Sequence, residues 1–192
     1  METLEAITGR RSIRKFLDQP VARRDIEAVL EAAIQAPSGK NRQPWRFVVV
    51  ADQEQRAQMI RVMRAGISAS KLQGRDTGTA IMTARVMEYA PVTVFVFNPE
   101  GRHPWTEHSS GQIFQESVDT QSIGAAIENM LLAAQEKGLA TLWMCDVWSA
   151  YEQLIDWLGE PGQLVAAVAL GYAAEQPPAR PRRTLTEVVR WL

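Results

Sequence analysis

A chain of 192 residues is long enough for one domain with a sizeable core. A net charge of −1 excludes a global basic field that would draw it to nucleic acid or an anionic membrane, so any anion site has to be a local cluster of cations. The single cysteine, Cys145, excludes an intrachain disulfide and suits a reducing cytosol. No apolar run approaches the roughly 18–20 residues that span a bilayer.

In chain order, Met1–Ala6 carries neither the basic nor the apolar region of a signal peptide, which predicts a cytoplasmic protein. Ile26, Val29, Leu30, Ala33 and Ile34 follow the spacing of an amphipathic helix that should stop at Pro37-Ser38-Gly39. Trp45–Val50 reads as a buried strand, and Asp52 as the cap of a helix through Met59, Ile60 and Met63. The polar stretch Gly66–Thr79 reads as a mobile loop. A helix ending near Tyr89-Ala90 then leads into a strand at Val92–Phe97, and Asn98–Gly111 is a second loop. Ile123, Ile127, Met130, Leu131 and Ala134 mark a long helix whose scattered alanines predict burial all round. Gly138 ends it, Leu139–Cys145 is a third strand, and Ser149-Ala150-Tyr151-Glu152 has the form of a capping box. Leu164–Leu170 is a fourth strand, followed by a Pro/Arg-rich extension at 176–183 and a capped turn at Thr184-Leu185-Thr186-Glu187. Alternating helices and short strands, without a linker or repeat, predict a single layered domain of α+β or α/β type.

Four segments carry candidate chemistry. Arg10-Arg11-Ser12-Ile13-Arg14 is too β-like to continue a helix. If it is extended, Arg10, Ser12 and Arg14 share one side, and two guanidiniums with a hydroxyl suit a phosphate. Taken alone it reads as readily as a solvated basic turn. Ala36–Trp45 is rich in backbone and amide groups that could meet the pyrimidine edge of a flavin, or could be an ordinary helix-to-strand loop. Gly138–Asp146 ends a strand, where free amides can approach a flat ligand. Cys145 within it reads as inert core. Arg180-Pro181-Arg182-Arg183 is extended and basic, a second phosphate contact or a solvated tail. His103 and His108 lack a third placed ligand, so no metal site is expected and both should be exposed. Trp105 could line a pocket under a lid formed by their loop.

Together and in this order, Arg10–Arg14, Ala36-Pro37-Ser38 with Asn41 and Gln43-Pro44-Trp45, the Asn129–Leu139 helix end, and Leu170-Gly171-Tyr172 with its basic tail resemble the nitroreductase family. The resemblance spans nearly the whole chain and implies an α+β domain over residues 1–192. That domain has a central mixed sheet flanked by helices, in an intertwined homodimer whose tail, 174–192, reaches the partner. It implies FMN as cofactor, with Arg10, Ser12 and Arg14 on its phosphate and ribityl chain and Arg11 in support. Pro37, Ser38, Gly39 and Asn41 would cover the ring from the partner subunit. Met144, Cys145 and Asp146 would bring backbone amides near N5, and Arg182 or Arg183 would add a phosphate contact. Asp146 departs from the glycine common there, and an inward-pointing acid would oppose an anionic reduced flavin.

The activity so implied is transfer of electrons from NAD(P)H through FMN to a small organic acceptor, by ping-pong kinetics and with no catalytic side chain. It agrees with the lack of a Gly-x-Gly-x-x-Gly dinucleotide motif after a strand. The alternatives are a flavin-fragmenting or dehalogenating enzyme on the same fold and a non-catalytic flavin or nucleotide-binding regulator.

Overall fold

The computed structural model describes residues 2–192; Met1, the first residue of the expected domain, lies outside the described residues. Its order is α1 (Thr3–Gly9), α2 (Arg23–Ala33), β1 (Arg46–Val50), α3 (Gln53–Leu72), α4 (Ala80–Tyr89), β2 (Val92–Asn98), α5 (Ser110–Glu136), β3 (Ala140–Met144), α6 (Tyr151–Leu158), β4 (Gln163–Gly171) and α7 (Leu185–Val188). Short 3-10 turns occupy Gly39–Asn41 and Asp146–Ala150.

The strands form one sheet in the order β1-β2-β4-β3, with every adjacent pair antiparallel. The expected mixed sheet survives only as an isolated parallel bridge between Ser12 and Thr141. Connectivity explains the difference. The α3–α4 hairpin returns the chain to the end of β1 it left, so β2 runs back beside it. The single helix α5 carries the chain the length of the sheet, so β2 and β3 point the same way, and β4 inserts between them in the opposite sense.

Period-2 alternation assigns side chains to two cores. Val92, Val94 and Val96 face α2 and α5 with Ala166, Val168 and Leu170. Phe95 and Phe97 face α3, α4 and α6 with Ala167 and Ala169. A register shift at Val96/Phe97 flips the parity of β4, which is why Leu164 joins the second group. Both faces of β2 are covered, and a side chain such as Phe95 or Met130, fully enclosed, contributes about 1.5–3 kcal/mol.

Several expectations are corrected. The stretch from Gly66 is helix as far as Leu72, with Gly66, Ile67 and Ser70 buried. Gly66 is small because Ala150 packs against it, and a Cβ there would stand 2.6 Å from the Ala150 Cα. β1 is a half-exposed edge strand, not a buried one. α5 buries a single stripe, Asp119, Ser122, Ile123, Ala126, Ile127, Met130, Leu131 and Ala134, while its outer face, including Ala125, Leu132 and Ala133, is half-exposed. No Ser149 cap forms, because the 3-10 turn absorbs that residue and Glu152 turns to His103. The caps at Asp52 and Thr184 form as expected, and Gly138 leaves α5 at φ +71°.

Candidate cofactor site

Residues 10–16 are extended along the free edge of β3. The Ile13 amide donates to the Thr141 carbonyl at 2.9 Å, and Ile13 and Phe16 point into the core. Ser12 and Arg14, flanking Ile13, face away from the core, and Arg10 and Arg11 line the same groove, so the alternation holds locally and not over the whole segment. The chain after β4 returns along the same segment: Leu17 donates to the Tyr172 carbonyl at 2.9 Å and Ala174 to the Lys15 carbonyl at 2.8 Å. The Glu175 carboxylate accepts from the Arg14 and Lys15 amides at 2.6 and 3.2 Å. Between these two strands of backbone lies a groove of about 640 Å³, walled by Arg10, Arg11, Ser12 and Arg14 on one side and by Arg180 and Arg182 on the other.

The cations in this groove keep unused donors. The Arg10 Nε is buried without a hydrogen-bond partner, 3.4 Å from the Glu128 carboxylate. The Arg11 guanidinium spends one nitrogen on the Thr8 and Arg10 carbonyls. Arg14 and Arg182 reach only backbone carbonyls, and no carboxylate pairs with either among the described residues. Forked guanidiniums around a hydroxyl, with donors to spare, fit a phosphate dianion. Arg182 lines the groove and Arg183 does not. Arg180, part of the basic candidate segment but not of the phosphate contacts that the resemblance implied, does line it. The signal was there: Arg180 and Arg182 are two apart on an extended backbone and share a side.

The 37–44 loop lies elsewhere on the chain and lines no part of this groove. Its backbone is unusual, with Lys40, Asn41 and Gln43 at φ of 53°, 54° and 51°. Asparagine tolerates the left-handed region, but lysine and glutamine do not favour it, and such residues cost about 1–3 kcal/mol each. The Ser38 hydroxyl accepts from the Gln43 amide at 3.0 Å, and the Ser122 hydroxyl of α5 accepts from the Gly39 amide at 3.3 Å.

At the end of β3, Met144 is buried and Cys145 is exposed, which corrects the expectation of a core thiol. The strand stops at Met144, so the next side chain leaves the sheet. Partial desolvation of the sulfur, and secondly the charge of Asp146, push the Cys145 pKa up. The Asp146 carboxylate is held by neutral donors. It accepts from the Thr79 hydroxyl and, at 3.2 Å, from the Thr83 hydroxyl, both presented by the start of α4.

The 98–111 loop is also more engaged than its composition implied. His103 pairs with Glu152 at 3.1 Å and His108 with Glu116 at 2.8 Å, so neither histidine is merely exposed. Trp105 stacks edgewise on Trp148 and Tyr151, with the Arg75 guanidinium 4.7 Å above it. Among the described residues no three His, Cys, Asp or Glu side chains form a group that could hold a metal. Among the described residues no helix is long and apolar enough to cross a membrane.

Three comparisons extend this geometry. A protein of Archaeoglobus fulgidus, provisionally assigned as an NADH dehydrogenase or NAD(P)H nitroreductase, is 30% identical over 181 residues, covering 91% of this chain and 87% of its own. The 5,6-dimethylbenzimidazole synthase of Rhodospirillum rubrum is 29% identical over 177 residues, 88% of this chain and 81% of its own. The crystal structure of a provisionally assigned nitroreductase in complex with FMN, from Desulfovibrio desulfuricans, superposes with a TM-score of 0.76 at 29% identity, over 98% of this chain and 95% of that one. The nitroreductase family model itself matches residues 7–172, from the helix before the arginine segment to the tyrosine after β4, and this chain belongs to that family.

Proposed function

We propose that the chain binds FMN at the boundary of a homodimer and passes electrons from NAD(P)H to a small organic acceptor such as a nitro compound, quinone or enone. The observation that carries this reading is the arginine groove, in which the guanidiniums of Arg14 and Arg182 reach only backbone carbonyls and the buried Arg10 Nε, though ion-paired with Glu128, makes no hydrogen bond. Arg10, Ser12, Arg14 and Arg182 hold the phosphate, with Arg180 beside them and Arg11 in support. Pro37, Ser38, Gly39 and Asn41 cover the ring from the partner subunit, and the Met144–Asp146 backbone offers amides to its edge. Bound FMN would supply hydride acceptance and release, which is why no side-chain nucleophile is required.

Dimerisation is supported by the half-exposed outer face of α5 and by the terminal segment, where Leu185, Val188 and Trp191 are exposed with no core of their own. A lone thiol without a disulfide partner suits cytoplasmic residence. Because the chain has no dinucleotide-binding motif of its own, the donor shares the flavin face with the acceptor, and the two take turns. Double-reciprocal plots of NAD(P)H oxidation at several acceptor levels should be parallel, and intersecting lines would show both substrates bound at once. The purified protein should be yellow and release FMN on denaturation. A colourless protein that cannot be reconstituted overturns the proposal, and a flavin-loaded protein without turnover would favour a regulator.

The similarity to a 5,6-dimethylbenzimidazole synthase supports a second reading, consumption of the flavin itself. Incubation with free FMN, NAD(P)H and oxygen separates the two. Flavin absorbance that recovers after each cycle supports reduction of an acceptor, and stoichiometric loss of flavin supports fragmentation.

A further inference from the structure

The 37–44 loop poses a question that its own hydrogen bonds do not answer: what holds Lys40, Asn41 and Gln43 at positive φ in an exposed segment? The residue between the last two is Arg42. Its Nε lies 3.5 Å from Oδ1 of Asp119, a carboxylate that is 2% exposed in the stripe of α5 facing the core. Another guanidinium nitrogen meets the Glu100 carboxylate of the 98–111 loop. Asp119 also accepts from the Gln115 side-chain amide at 2.9 Å, but Arg42 is the one cation paired with it among the described residues. A buried carboxylate with a single counter-charge strongly resists losing it. Gly39 is seated on the same helix, against Val118, where any Cβ would collide.

We infer that the Arg42–Asp119 ion pair is a positioning device, which holds the Ser38–Gln43 loop in its left-handed form and, through Glu100, fixes the neighbouring 98–111 loop to it. Because Arg42 is flanked by Asn41 and Gln43, the direction of its side chain sets the backbone on both sides. Asp119 touches no part of the groove and acts only through that loop. The consequence for the flavin rests on the reading that this loop covers the ring, whereas the loop's own conformation can be read without any flavin.

The test is Asp119→Asn, measured by hydrogen exchange at the Gly39 and Gln43 amides and by the rate of FMN release. Exchange at those two amides should rise about tenfold or more, the size of a mid-range network coupling, while amides of β2 keep their protection. FMN release should accelerate by a similar factor. Adding Lys40→Gly should restore both, since glycine accepts positive φ without the Cβ cost. Unchanged exchange in Asp119→Asn, or no restoration by Lys40→Gly, overturns the inference. If Asp119→Asn does not fold, the paired change Arg42→Gln with Asp119→Asn removes the unmatched charge. The loop alone should then lose protection, and normal protection overturns the inference. A wild-type protein that takes up no FMN overturns the flavin reading, and exchange on that same protein still decides the ion pair.

Discussion

The arginine groove and the Asp146 corner both flank β3, and both were singled out as charged positions close to a cofactor. They differ in how far the protein satisfies its own polar groups. In the groove, Arg14 and Arg182 reach only carbonyls, and the Arg10 Nε is ion-paired with Glu128 but makes no hydrogen bond. At the corner, two threonine hydroxyls converge on one carboxylate. Unspent hydrogen-bonding capacity in a concave surface marks a place for a ligand, while a carboxylate gripped by donors of another element marks a joint, here between the end of β3 and α4. Charge alone did not separate the two.

The largest test of this contrast is Arg14→Ala. A charge-assisted hydrogen bond contributes about 1.5–3 kcal/mol, so FMN affinity should fall about 10- to 100-fold while the thermal midpoint of the apoprotein stays put. Titration by flavin fluorescence checks the first and calorimetry the second. Unchanged affinity would mean that the phosphate lies elsewhere.

Asp146→Ala should do the converse. The Thr83 hydroxyl, in a buried residue, loses its acceptor, so chemical denaturation should report a loss of about 1–3 kcal/mol, with FMN affinity affected less than by Arg14→Ala. An affinity loss as large as that of Arg14→Ala would make Asp146 a ligand residue after all.

A smaller effect concerns Tyr151, whose pKa is pushed up to about 12, chiefly by burial. Its raised value means that the contribution is fully present below the unfolded value near 10 and is lost as pH climbs towards 12. Stability of the wild type should therefore fall more steeply over that window than that of Tyr151→Phe. Parallel alkaline limbs would show that the hydroxyl, which accepts from the Leu164 amide, is freer than the geometry implies. The smallest effect belongs to Arg183, which does not line the groove: Arg183→Ala should leave FMN affinity within about twofold, where Arg182→Ala loses roughly tenfold or more.

What the sequence made legible was local. The period of Ile26–Ala33, the Asp52 cap, the stop at Gly138 and the alternation of Ser12, Ile13 and Arg14 each depend on residues a few positions apart. What it hid was decided at a distance. Gly66 looks like a loop glycine until Ala150 is packed on it, and Ser149 looks like a cap until Glu152 is drawn to His103. Cys145 looks like core because the strand's last residue cannot be told from the one before. Arg42 and Asp119 are 77 positions apart in the chain, and nothing in the spacing of either announces the other.

The placement of β4 between β2 and β3 has a consequence for how the protein is made. β2 emerges from the ribosome with β1 to cover one edge, but its other edge waits for residues 163–171. At roughly 5–20 residues per second, the wait is on the order of ten seconds. During it the nascent chain carries an apolar strand, buried on both faces in the finished sheet, with one side unpaired. On the proposed reading, flavin binding cannot shorten that interval, because the groove needs Glu175, Arg180 and Arg182, which are translated later still. Yield in a host cell should therefore depend on chaperone supply more than on flavin supply.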